Sequence, residues 1–281
     1  MNALFRPLLT QSFKSTGVYL LIIALTLAIS ATTALKFSNA QIQNAVALQA
    51  AEMLAGDLVL SDSAPLAQSW KDQASQLQLK QSEVTMFGSM AHTSDQFVMV
   101  NVKAIDGSFP LRGELRLQPA AQRIQSGEVW LSQRAMDLLQ VKIGDALHIA
   151  DGAFKVTAKI AHDSNQELGF SGFSPTVIIS RQDVAKTHAV QAGSRIEYRL
   201  LLAGAAENTR QFEQRFKQLR HPAAGAKAKL ADEAADEQSS LRLRNASEGN
   251  TRLMKPIANL DTFLQLANIL TILLCGIAIA L

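Results

Sequence analysis

An unbroken apolar run, STGVYLLIIALTLAISATTAL from Ser15 to Leu35, lies between Lys14 and Lys36. Its about 21 uncharged residues, rising about 1.5 Å each as a helix, match a hydrocarbon core of about 30 Å. Lipid offers backbone groups no hydrogen-bond partner, so the run is expected to be transmembrane helix 1, residues 15–35. A second run of similar length, Thr262–Leu281, follows Asp261 and reads as transmembrane helix 2, residues 262–281. It reaches Leu281 with no basic or aromatic anchor after it. More chain is therefore expected to follow, which would make the sequence the truncated front portion of a longer membrane protein.

The start, MNALFRPLLTQSFK, carries Arg6 and Lys14 and no acid, with Leu4, Phe5, Leu8, Leu9 and Phe13 between them. Residues 1–14 are expected as an amphipathic helix lying in the membrane interface. Arg6, Lys14 and Lys36 are its candidate interface anchors. The cations place the N-terminus in the cytoplasm and residues 36–261 in the periplasm of a bacterial inner membrane. A cleaved signal peptide, cut after Ser38-Asn39-Ala40, is the rival reading. The apolar run exceeds the usual signal core, and a second span follows. Ala24 and Ala28, and Gly276 and Ala280, put small residues at a spacing that permits close helix approach.

Charge excludes some functions. All 24 acidic residues lie between Glu52 and Asp261, and the net charge of +3 is too small for a nucleic-acid binder. The one cysteine, Cys275, permits no disulfide framework within the chain.

The outer segment alternates strand and helix patterns, which indicates an α+β fold. FSNAQIQNAVALQAAEML continues the first span as a helix that Gly56 ends, and DLVLS follows as a strand. Pro65 opens a helix through SWKDQASQLQL. VTMFGSM and QFVMVNVKAI pair across the AHTSD turn. EVWLS is a strand and QRAMDLLQ a helix. KIGDALHIA and AFKVTAKIA form a hairpin at Asp151-Gly152. Residues 127–165 are the candidate small β-rich inserted subdomain. PTVIIS is a strand and RQDVAKTHAV a helix. SRIEYRLLLAG is a strand, and ENTRQFEQRFKQLR a helix with Phe212, Phe216 and Leu219 on one face. The polar stretch from Asp232 reads as a helix leading to the second span, with a solvated linker as the alternative.

Motifs for catalysis fail. GFSGFS (Gly169–Ser174) has Phe173 where a nucleophile elbow needs glycine. His92, His148, His162, His188 and His221 are scattered, without metal-ligand spacing. His162-Asp163 is a weak acid/base candidate. No phosphate-binding loop of the G-x-x-x-x-G-K-[ST] type occurs. No catalytic, cofactor-binding or metal residue is assigned, and the chain is not expected to be an enzyme. Phe170 and Phe173, among glycines and serines, are candidates for contact with membrane or a partner, against a loop folded onto the core.

Several stretches carry a resemblance. AEMLAGDLVLSDSAPL (Ala51–Leu66), VKAIDGSFPLRGEL (Val102–Leu115), GEVWLSQRAMDLLQVKIGD (Gly127–Asp145) and GSRIEYRLLLAG (Gly193–Gly204) are similar to FtsX-like (MacB-type) ABC transporter permeases, specifically to the YbbP-type. The resemblance implies two spans flanking a MacB-like periplasmic domain. It implies a separate cytoplasmic ABC ATPase subunit, reached through parts of the permease that follow, and a second permease half or copy. It also implies mechanical coupling of ATP hydrolysis to the outer domain, with hydrophobic or lipid-like substrates. The competing class is a two-span sensor receptor with an outer ligand-binding domain; a membrane-anchored hydrolase lacks a nucleophile and base.

Overall fold

The computed structural model describes residues 16–165, 174–191, 194–220 and 240–246. The chain divides into two units, residues 1–47 with 250–281, and residues 48–249. In the first, the described part is helix α1, Thr16–Leu54, which begins in the first apolar run and ends in the second unit. It contains no glycine or proline beyond its first turn, and Thr33 Oγ1 bonds back to Ile29 O within it. Counted on its described residues alone, no helix is long and apolar enough to cross a membrane.

The second unit is built on ten described strands: β1 Leu58–Asp62, β2 Lys80–His92, β3 Phe97–Ile105, β4 Leu115–Gln118, β5 Glu128–Ser132, β6 Ala146–Ile149, β7 Gly152–Asp163, β8 Thr176–Ser180, β9 Ile196–Ala203 and β10 Arg242–Asn245. They form one sheet in the order β10-β1-β9-β2-β3-β8-β5-β7-β4, with β6 bridging β2 and β7. The β3–β8 and β5–β7 pairs are parallel. Residues 127–165 contribute β5, β6 and β7 to this same network. Four short helices join in: α2 Gln68–Gln76, α3 Gln133–Leu139, α4 Val184–Thr187 and α5 Ala206–Arg220. The mixed helix-and-strand class expected from the sequence is present.

Alternation along the strands sends side chains to two faces. Leu58, Leu60, Leu200 and Leu202 pack under α2 and α5 against Phe212 and Phe216. Trp70 closes that layer, with its ring centroid 6.1 Å from Phe212 and 5.4 Å from Phe216. On the opposite face Val59, Val84, Met86, Ile178 and Leu201 pack with Ala55, Leu54, Phe109 and Leu111.

Local readings need correction. Leu219 is 60% exposed although its spacing puts it on the face of Phe212 and Phe216, because it sits in the last turn of α5, where the buried layer no longer covers that side. The hairpin turn falls at Ala150-Asp151, with Ala150 at φ 47°, and Gly152 already begins β7. RQDVAKTHAV makes a 3₁₀ turn and the single helical turn α4. Arg242–Asn245 is strand β10, because its alternating LRLRN pattern pairs with β1 in place of forming a helix. The rest of that polar stretch lies outside the described residues.

Candidate functional site

The end of α1 is tied into the sheet unit. Ala55 adopts φ 57°, its N–H donates to Glu52 O at 3.1 Å, and Gly56 N–H donates to Ala51 O at 3.0 Å. These two bonds are a Schellman stop. Thus Ala55, not Gly56, takes the left-handed conformation. Glycine at 56 suits a close approach: a Cβ there would lie 3.2 Å from Leu202 O, tighter than most such contacts. Ala55 O accepts from the backbone N–H groups of Leu111 and Arg112, each at 3.2 Å. The Arg112 guanidinium meets the Asp57 carboxylate through two bonds of 2.9 Å. This bonding raises the Arg112 pKa, against a smaller opposing effect of burial. Asp57 Oδ2 also accepts from Gly204 N–H at 2.9 Å.

A second tie lies beside the first. Lys103 is 2% exposed, and its Nζ donates to Asp163 Oδ2 at 2.6 Å and to Asn165 O at 3.1 Å. It also lies 5.3 Å from the Phe109 ring centroid, within cation–π reach. Asn165 Nδ2 donates to Met53 O at 2.6 Å, in the last turn of α1. A buried lysine is tolerable because its ammonium is paired and hydrogen-bonded.

Next to these ties the face of the sheet opens into a cleft of about 1140 Å³. Met53, Leu54, Met86 and Met99 supply apolar wall, and Ser61, Asp62, Arg195, Glu197, Arg199, Arg242 and Arg244 supply polar wall. Register explains the grouping: Ser61 pairs with both Arg242 and Arg199, and Glu197 pairs with Met86. Glu197 accepts from Arg199 at 2.7 Å and from Arg244 at 3.4 Å. Burial pushes the Glu197 pKa up. The Arg199 hydrogen bond, the charges of Arg199 and Arg244, and Ser61 outweigh it, so the net shift is downward. The carboxylate stays ionised and anchors two of the guanidinium groups.

Of the residues singled out from sequence, Lys36 lies exposed in α1. Arg6, Lys14, Phe170 and Phe173 fall outside the described residues, although Asn165 and Ser174, on either side of 166–173, both line the cleft. His92 and His148 come together across β2 and β6 with ring centroids 5.1 Å apart. Asp163 does not serve His162: its carboxylate holds Lys103, and the His162 ring lies 3.4 Å from Ser164 Oγ. Among the described residues no group of three or more His, Cys, Asp or Glu is placed to hold a metal ion. Sequence reading missed Asp57, Arg112 and Lys103, although a lysine within the apolar stretch VKAI was a signal.

Part of the chain is similar in sequence to a curated ABC transporter permease. It is 30% identical over 196 residues to the "Uncharacterized ABC transporter permease YbbP" of Escherichia coli strain K12, a match covering 69% of this chain and 24% of that protein. The chain thus corresponds to about a quarter of that relative. No protein-family model matches it. Among solved structures, the periplasmic region of MacB from Actinobacillus actinomycetemcomitans aligns at 8% identity and a TM-score of 0.46, covering 74% of this chain and 97% of that one. The extracellular domain of the noncanonic ABC-type transporter YknZ from Gram-positive bacteria aligns at 8% identity and a TM-score of 0.40, covering 67% and 100%. Likenesses of this size carry no functional weight.

Proposed function

We propose that this chain is part of a permease subunit of an ABC-type exporter or mechanotransmission complex. Residues 15–35 and 262–281 span the inner membrane, and residues 36–261 form the periplasmic domain between them. A separate cytoplasmic ATPase supplies the energy, reached through further parts of the permease. A second permease half or copy completes the membrane unit, and the chain itself carries no catalytic role. The observation that carries this reading is the sequence match to an ABC transporter permease. The physical support is α1, which is continuous from the first apolar run to the clamp at Asp57, Arg112 and Asn165. Such a helix can pass a displacement of the span to packed elements beside it. Met53 and Leu54 belong to both the helix end and the cleft wall, so displacement of α1 would reshape the cleft. Hydrophobic or lipid-like compounds are the substrates this reading favours.

The test is to purify the full-length gene product from native membranes. The reading expects a P-loop ATPase to co-purify and its ATP turnover to rise with the permease present. A full-length product with a signalling module after residue 281, and no ATPase partner, would transfer the chain to the sensor-receptor class.

A further inference from the structure

The cleft has a chemical polarity. Four guanidinium groups, those of Arg195, Arg199, Arg242 and Arg244, share its wall with two carboxylates, Asp62 and Glu197. Both carboxylates are already engaged. Asp62 Oδ1 accepts from Ala64 N–H at 3.2 Å and from Ser240 Oγ, and Glu197 holds Arg199 and Arg244. Arg195 and Arg242 are exposed and have no ion-pair partner among the described residues.

Among the described residues the floor between them is open. Gly88 sits within β2, and among the described residues a Cβ there would meet nothing within 4 Å. Glycine weakens a strand interior, and there it often marks a bulge, a bend or a place where a ligand or another backbone comes close. Extending the β9–β2 register, in which Ile196 pairs with Phe87, puts Arg195 level with Gly88; Asn101 pairs with Gly88 on the other side. Beyond lie Met99, 59% exposed, and Met53, 37% exposed. From β10 to β3 the sheet is five strands wide, roughly 19 Å at about 4.8 Å per step. Methionine walls adapt to chains of differing shape.

We infer that this cleft binds single-chain amphipathic anions, with the carboxylate or phosphate head at Arg195 or Arg242 and the hydrocarbon tail over Gly88 along Met53, Met86 and Met99. The inference deepens the lipid-like substrate reading above and rests on it. Binding is measured without ATP or the ATPase, so its failure would leave the permease assignment standing.

The experiment embeds the whole chain in phosphatidylcholine nanodiscs and irradiates it with myristic acid carrying a diazirine near the tail end. Adducts are mapped by mass spectrometry. The expected result is labelling of peptides containing Met86 or Met99. The Arg195→Glu/Arg242→Glu variant should reduce it about tenfold, the order of a lost charge-assisted contact. Gly88→Leu, which fills the floor and leaves every arginine in place, should reduce it similarly, and circular dichroism confirms that both variants fold. Equal labelling by the corresponding myristyl alcohol probe, or labelling that both folded variants retain, would overturn the inference.

Discussion

Asp57 and Arg112, 55 residues apart in sequence, join through two parallel bonds of 2.9 Å just after the last turn of α1. Asp57 leaves the helix stop at Ala55 and Gly56, and Arg112 comes from the loop whose backbone caps Ala55 O. One carboxylate thus fixes the helix end, that loop and Gly204 together.

Replacing Asp57 by Ala removes both guanidinium bonds and strands Gly204 N–H. A loss of about 2 kcal/mol is expected in urea unfolding of the whole chain. Arg112→Ala should cost less, about 1 kcal/mol, because its side chain is 41% exposed and water competes for the pair.

The Lys103–Asp163 pair should behave differently from a surface pair. Asp163→Ala leaves an uncompensated ammonium in a 2% exposed position, and a loss of about 3 kcal/mol is expected. Lys103→Met combined with Asp163→Asn should recover much of it. A double-mutant cycle measures the coupling; additive losses would contradict the pairing.

Asp183 supplies a pH signature. It is fully buried and accepts from Ser126 Oγ at 2.6 Å and Gly127 N–H at 2.7 Å, with Lys186 Nζ also at 2.6 Å. Burial pushes its pKa up, but Lys186, Ser126 and Gly127 outweigh that and lower it. The unfolded chain then binds a proton more readily than the folded one. Stability from this site is full above the ordinary aspartate pKa of about 3.9 and falls as pH drops through the lower folded value. Asp183→Asn should lose stability at neutral pH and flatten that acid-side decline in denaturation curves.

Phe212 and Leu219 test the face of α5. Phe212→Ala empties a buried site against Trp70 and should cost about 3–4 kcal/mol in thermal or urea unfolding. Leu219→Ala should change stability by less than about 0.5 kcal/mol.

Periodicity made the strands readable wherever one face is buried. The β2–β3 hairpin, β5 and the β6–β7 pair all followed from alternation and turn residues. Leu219 and β10 were misread for opposite reasons. A helical period predicts which side chains share a face, but the width of the facing sheet decides how many are covered. Arg242–Asn245 alternates over too few residues to stand out from its polar surroundings, and only β1 beside it makes it a strand. The clamp was illegible because Asp57, Lys103, Arg112 and Asn165 are dispersed, and their meeting depends on strand order. The cleft arginines were hidden likewise, since β10 and β9 meet only through β1.

The most direct test of the proposed coupling between α1 and the cleft is a distance measurement on the full-length gene product in nanodiscs, together with the ATPase partner proposed above. Spin labels replace Leu48, exposed on α1, and Phe97, exposed at the start of β3, with Cys275 changed to Ser. Adding ATP should shift the distance distribution by roughly 1–2 Å or more, the scale of helix displacements in coupled transitions. Identical distributions with and without ATP, while the ATPase turns over, would contradict the account.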